Sequence, residues 1–325
     1  MKTPLDVCSR EPGSAPRELS RRRFLEASGV ALAFAALPAA RPARELATLA
    51  VLADARVDMR RGQEWTLDAL RRAVAVARSH GPAALLFLGG LSANGDAREL
   101  ELGAAALAEA QLPVHALPGP LDRVADGGRA WRTRFGRLPA ALVLGGAHVL
   151  LLDTARLRRA TRERDRAATR ELGGLGSARI GRFALGARQS AWLAARLDEG
   201  GADTPLVVAS HVPLLPLYSA WNWGVEDGAS VLERLERRRG VTQLFGQVSS
   251  GLRVTSSAGD IAQAIPPIAR VQNPPRALRR SPDVSLGGGA LEPGIALLRL
   301  APDREPVVEL VPLQDAVART PRIRA

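Results

Sequence analysis

The chain has 325 residues, enough for one large domain or two ordinary ones, each with a substantial core. Hydrophobic residues make up 46% and charged residues 24%, a balance that excludes a disordered chain. The formal net charge of +12 points toward acidic partners, yet Lys2 is the only lysine and the arginines are scattered along the chain. No RRM-, KH- or zinc-finger-type motif accompanies them, so nucleic acid is not expected as a partner.

The first forty-odd residues differ in kind. A basic cluster, Arg21 to Arg23, precedes a charge-free apolar run from Ala27 to Ala40. That run is shorter than the roughly 20 residues needed to span a bilayer, and it has the layout of a secretory signal. The order Ser-Arg-Arg-Arg-Phe-Leu, Ser20 to Leu25, resembles the twin-arginine export signal of bacteria. The resemblance implies a precursor handled by the twin-arginine machinery and a periplasmic or extracellular product. Residues 1–43 are then the signal segment and 44–325 the folded domain, with no membrane span expected in the mature chain. Cys8 would leave with the signal, and no cysteine would remain for disulfide or thiol chemistry. No clean small-residue cleavage motif occurs at Ala39 to Ala43, so an uncleaved anchor stays open.

From Leu46 onward, strands and helices alternate. "LATLAVLADA" reads as a buried strand, and "EWTLDALRRAVAVARSHG" as an amphipathic helix ended by Gly81. "AALLFLGGLS" is a second strand and turn, "DARELELGAAALAEAQL" a helix, and "PVHALPGP" a third strand. This alternation predicts parallel strands joined by crossover helices. "LVLGGAHVLLLDT" reads as a hairpin, and the arginine-rich stretch from Arg156 to Gly181 as an exposed insertion. "GARQSAWLAARLDEG" is a helix, "TPLVVASHVPL" a buried strand, "SVLERLERRRG" a helix and "VTQLFGQVSSG" a strand and turn. The tail, "GIALLRLAPDREPVVELVPL", reads as a hairpin turning between Pro302 and Pro306. No internal repeat or low-complexity linker interrupts the series.

Strand-end turns usually present polar groups to a ligand. Here "ALPGPLDRV" presents Pro120 and Leu121, which neither bind a metal nor move a proton. Five such turns follow in order: "ADARVD", "LGGLSANG", "PGPLDR", "SHVPL" and "FGQVSSG". The series resembles the calcineurin-like metallophosphoesterases, whose pattern is D-x-H, G-D-x-x-[DN], G-N-H-[DE], a histidine in an S-H-x-P-like turn, and G-H-x-H. The resemblance covers about Ala47 to Leu313 and implies a four-layer α/β/β/α sandwich with two mixed β-sheets. It rests on order and strand-end placement.

The family's chemistry uses two metal ions about 3.5–4 Å apart to clamp phosphate oxygens and activate a water. By the resemblance, Asp54 and His211 match family ligands, Arg56 replaces a histidine, and Gly90 replaces the bridging aspartate. Pro120 replaces the asparagine and Leu121 the acid histidine, while Asp122 keeps the outer acidic position. Gln247 and Ser249 replace the two histidines of the last motif. Asp54, Arg56, Asn94, Asp122, His211, Gln247 and Ser249 are therefore the residual site. No catalytic residue is assigned, and neither metal nor cofactor is expected.

Blander readings accompany these. Asp54 could cap a turn, His211 could be a hydrogen-bonded core histidine, and Ser92 could satisfy a turn backbone. The aromatic stretch Tyr218 to Gly224 reads as a ligand lid or as a loop packed on the body. Three functions follow. One is an exported pseudoenzyme that binds a ligand, phosphate-containing or otherwise anionic, or a partner at the former site. The second is an active phosphoesterase holding a manganese, iron or zinc pair through Asp54, Asp58, Asp96, Asp122 and His211. The third is a basic polyanion-binding protein.

Overall fold

The computed structural model describes residues 46–155, 157–158, 182–199, 201, 204–238, 240–255, 261–287, 290–302 and 304–313. The signal segment and nearly all of the arginine-rich insertion lie outside them.

Five strands form the first sheet: β1 (Ala47–Leu52), β2 (Ala84–Phe87), β3 (Val114–Ala116), and two late strands joined at Pro302, β13 (Gly294–Ala301) and β14 (Arg304–Pro312). Their order is β14-β13-β1-β2-β3; β1, β2 and β3 run parallel, while β13 is antiparallel to both neighbours. The second sheet has seven strands. A hairpin, β4 (Ala140–Leu144) and β5 (Ala147–Leu151), leads through β8 (Leu206–Ser210) to β9 (Val241–Phe245). β10 (Leu252–Thr255), β11 (Ile261–Ala264) and β12 (Val284–Leu286) complete the order β12-β10-β11-β9-β8-β5-β4. A two-stranded ribbon, β6 (Leu157–Arg158) with β7 (Arg182–Phe183), stands apart from both.

Period-two alternation along β1 divides its side chains between two cores. Ala50 and Leu52 face outward with Leu85, Phe87 and Leu297, under helices α1 (Trp65–Ser79) and α2 (Ala97–Ala108). The helices present Leu70, Ala73, Leu100 and Leu107 at three- and four-residue spacing. Leu49 and Val51 face inward with Leu86 and Leu298, against Val149, Leu151, Val207 and Leu244 of the second sheet. That sheet's far side, Leu150, Leu206, Val208 and Val241, is covered by two further helices through Leu193, Val231 and Leu235. The sequence of layers is helix, sheet, sheet, helix, with both sheets mixed, as the turn series implied. Strands buried on both faces explain the uninterrupted apolar runs of the sequence.

A short helix, α3 (Arg129–Phe135), precedes the hairpin; the covering helices are α4 (Ala187–Glu199) and α5 (Ala229–Glu236), and α6 (Arg276–Arg279) lies near the end. Sequence reading did not place α3, α6, β10, β11 or β12. These are short, and β10 and β12 are only half-buried, so they carry no apolar run. Among the described residues no helix is long and apolar enough to cross a membrane.

Candidate functional site

The five turns follow β1, β2, β3, β8 and β9, all of which point the same way within their sheets. Parallel strands deliver their C-terminal ends to one edge, so the turns meet there. Backbone bonds tie the first two: Asp54 N–H donates to Gly89 O at 2.9 Å and Arg56 N–H to Gly90 O at 2.8 Å. His211 Nδ1–H donates to Leu88 O at 2.6 Å, joining β8 of one sheet to the end of β2 in the other. Gly246 N–H donates to His211 O at 3.1 Å, bringing in the fifth turn.

Asp122 holds the second and third turns together. It lies in a single 3-10 turn, Leu121–Arg123, and is 1% exposed. Its Oδ2 accepts from Gly90 N–H (2.9 Å), Leu91 N–H (3.3 Å) and Gly119 N–H (2.7 Å), and its Oδ1 from Ser92 N–H (2.8 Å). Burial pushes this carboxyl up from its ordinary value, against the pull of the backbone donors and of the nearby His211 ring. The outer acidic position is thus an internal clamp whose oxygens are already committed.

Asp54 is also 1% exposed. Its Oδ1 accepts from Arg56 Nη2 at 3.1 Å, in an ion pair whose arginine side chain is 26% exposed. Its Oδ2 is buried without a hydrogen-bond partner among the described residues, as is His211 Nε2. The His211 ring fills a slot so close to Gly119 that a Cβ there would stand 3.0 Å from Nε2. At Gly90 the φ of 73° is left-handed, and a Cβ would overlap Asp54 Oδ1.

Asp54, Arg56, Gln247 and Ser249 also have left-handed φ values, between 50° and 62°. Such conformations are costly for residues with a Cβ and collect at functional sites. Gln247 and Ser249 are 5% and 8% exposed on the fifth turn. Leu121 begins the 3-10 turn and is half-buried.

Asn94 lies elsewhere. Its Nδ2 donates to Glu99 Oε1 at 2.6 Å and to Asp58 Oδ1 at 3.3 Å. Ser92 Oγ donates to Glu99 Oε2 at 2.6 Å, and Arg60 binds Asp58 with Nη2 to Oδ2 at 2.5 Å. The Arg60 guanidinium holds the Asp58 carboxyl below its ordinary range. Sequence reading passed over Glu99, although a buried acid in register with Gly103 and Ala106 on the apolar face of α2 was a usable signal. Asp96, offered as a ligand of a rearranged metal site, caps α2 by accepting from Arg98 N–H at 2.7 Å. The aromatic stretch packs on the fifth turn. Tyr218, Trp221 and Trp223 meet edge to face, and Trp223 is buried with Phe245 and Val248.

These residues do not fit a metal pair. Arg56 places a permanent cation on Asp54, Gly90 has neither a side chain nor room for one, and Asp122 is spent on backbone N–H groups. Among the described residues no three histidine, cysteine or acidic side chains converge as a metal site would require.

No protein-family model and no curated protein sequence matches the chain. Solved structures do resemble it. A dimetal phosphatase from Danio rerio is 16% identical, with 81% of this chain and 98% of that one covered at a TM-score of 0.58. Purple acid phosphatase PPD1 from yellow lupin seeds is 12% identical; 84% of this chain covers 52% of that one, at a TM-score of 0.62. PhoD is 12% identical, with 82% and 68% covered and a TM-score of 0.56. With the layer order and the meeting of the five turns, these likenesses show that the chain has a metallophosphoesterase-type fold.

Proposed function

We propose that this protein is an exported, catalytically impaired member of the metallophosphoesterase fold that binds a ligand at its former active-site edge. The observation that carries the reading is the Arg56–Asp54 ion pair, which puts a guanidinium on the carboxylate that a metal would need. The left-handed turns support descent from a working site, since strain of this kind is otherwise selected against. Arg56 is a partly exposed cation of the edge and offers planar donors matched to phosphate or carboxylate, so the ligand is anionic.

Metal analysis of the purified protein, with phosphomonoester and phosphodiester assays, tests the proposal. The expected result is substoichiometric metal and no turnover, in the wild type and in Arg56→His alike. Stoichiometric manganese, iron or zinc, with activity lost in Asp54→Ala, overturns it. Export rests on Ser20 to Leu25. Replacing Arg21 and Arg22 with lysine traps the precursor in the cytoplasm if the twin-arginine route is used, whereas unchanged export refutes that route.

A further inference from the structure

A cavity of about 470 Å3 opens beside the converging turns, walled by Pro118 after β3, the 3-10 turn, α3, the end of β5 and α4. Arg123, Arg132, Arg137 and Arg188 line it, with Asp153 as a lining carboxylate. Arg123 Nη1 meets both Asp153 oxygens, at 2.6 and 2.5 Å, in a pair whose side chains are mostly buried. Arg132 Nη1 donates to Gly127 O at 3.0 Å. Among the described residues Arg137 and Arg188 have no hydrogen-bond or ion-pair partner. Guanidinium groups gathered around one hollow repel each other, and a bound anion relieves that repulsion while gaining charge-assisted bonds.

The walls are not only charged. Trp131, Trp192, Leu138 and Pro139 supply apolar surface, and Trp131 is buried with its indole Nε1 lacking a partner among the described residues. The volume lies within the range of small-molecule sites. We infer that this cavity binds a small phosphorylated organic molecule carrying two or more negative charges, with its phosphates on the arginines and its body against the apolar wall. Pro118 and Arg123 of the third turn wall the cavity but Arg56 does not, so binding there does not depend on Arg56.

The full chain is titrated with ADP, inorganic pyrophosphate and adenosine, followed by calorimetry and by tryptophan fluorescence, since Trp131 and Trp192 line the cavity. ADP is expected to bind and change the fluorescence, pyrophosphate to bind more weakly, and adenosine not to bind. Arg137 and Arg188 are exposed, so their reversal to glutamate spares the fold. Arg137→Glu and Arg188→Glu should each weaken ADP about tenfold, the scale of a lost arginine–phosphate contact, while Arg279→Glu, the same reversal at an exposed arginine outside the cavity lining, leaves it unchanged. Unchanged affinity in both cavity variants, or an equal loss in Arg279→Glu, overturns the assignment. So does adenosine binding as tightly as ADP, or no binding of ADP at millimolar concentration. Pyrophosphate binding as tightly as ADP refutes the organic body.

Discussion

Asp122→Ala removes the side chain that ties the second turn to the third. The carboxylate accepts four backbone N–H groups from the second and third turns, all within 3.3 Å and all shielded from solvent. Alanine leaves those donors facing an apolar methyl. A buried donor left unmade costs about 1–3 kcal/mol, and water entering the vacated space recovers part of the sum. The net loss is expected at about 3–5 kcal/mol, comparable to breaking a buried ion pair. Asp122→Asn separates the acceptor from the charge. With its amide oxygen in place of Oδ2 it keeps Gly90, Leu91 and Gly119 but turns an NH2 toward Ser92 N–H, costing about 1–3 kcal/mol. Urea denaturation followed by far-UV circular dichroism and tryptophan fluorescence measures both, with unchanged m-values required for the comparison. If Asp122→Ala is too unstable to purify, Asp122→Asn carries the test. Either variant within about 0.5 kcal/mol of wild type, the range of ordinary surface changes, refutes the clamp.

Arg56→Ala should destabilise by about 1–3 kcal/mol, less than for a fully buried pair because the arginine is a quarter exposed. Adding Asp54→Asn should recover most of that loss in a double-mutant cycle, and additive losses would argue against the pairing. Gly90→Asp, which introduces a carboxylate where the resembled metallophosphoesterase pattern has its bridging aspartate, should lower stability by about 2–4 kcal/mol through left-handed strain and overlap with Asp54. Calorimetry showing Gly90→Asp as stable as wild type would count against the crowding. Burial holds His115 below its ordinary value of 6.5. The unfolded chain therefore takes up that proton first, so the contribution is whole above pH 6.5 and is lost as pH falls through 6.5 toward the folded value. His115→Gln should flatten this part of the stability–pH curve, and an unaltered slope contradicts the assignment.

The sequence by itself determined the layered core. Strands β1, β2, β3, β8 and β9 appear as apolar runs because both faces of each are buried, and α1, α2, α4 and α5 as amphipathic periods because one face is. Burial is a local property of a residue's position along its element, so it leaves a local pattern. The turn series followed from the same cause, since parallel strands separated by helices bring their C-terminal ends to one edge. The short strands β10 and β12 had no such pattern to show. Side-chain partnership was decided only by the tertiary structure. That Asp122 turns inward onto four N–H groups, that Asn94 joins Glu99 and Asp58 rather than Asp54, and that four distant arginines face one cavity depend on the angles at which separate turns and helices meet. Those angles come from packing across the whole molecule, and no spacing along the chain encodes them.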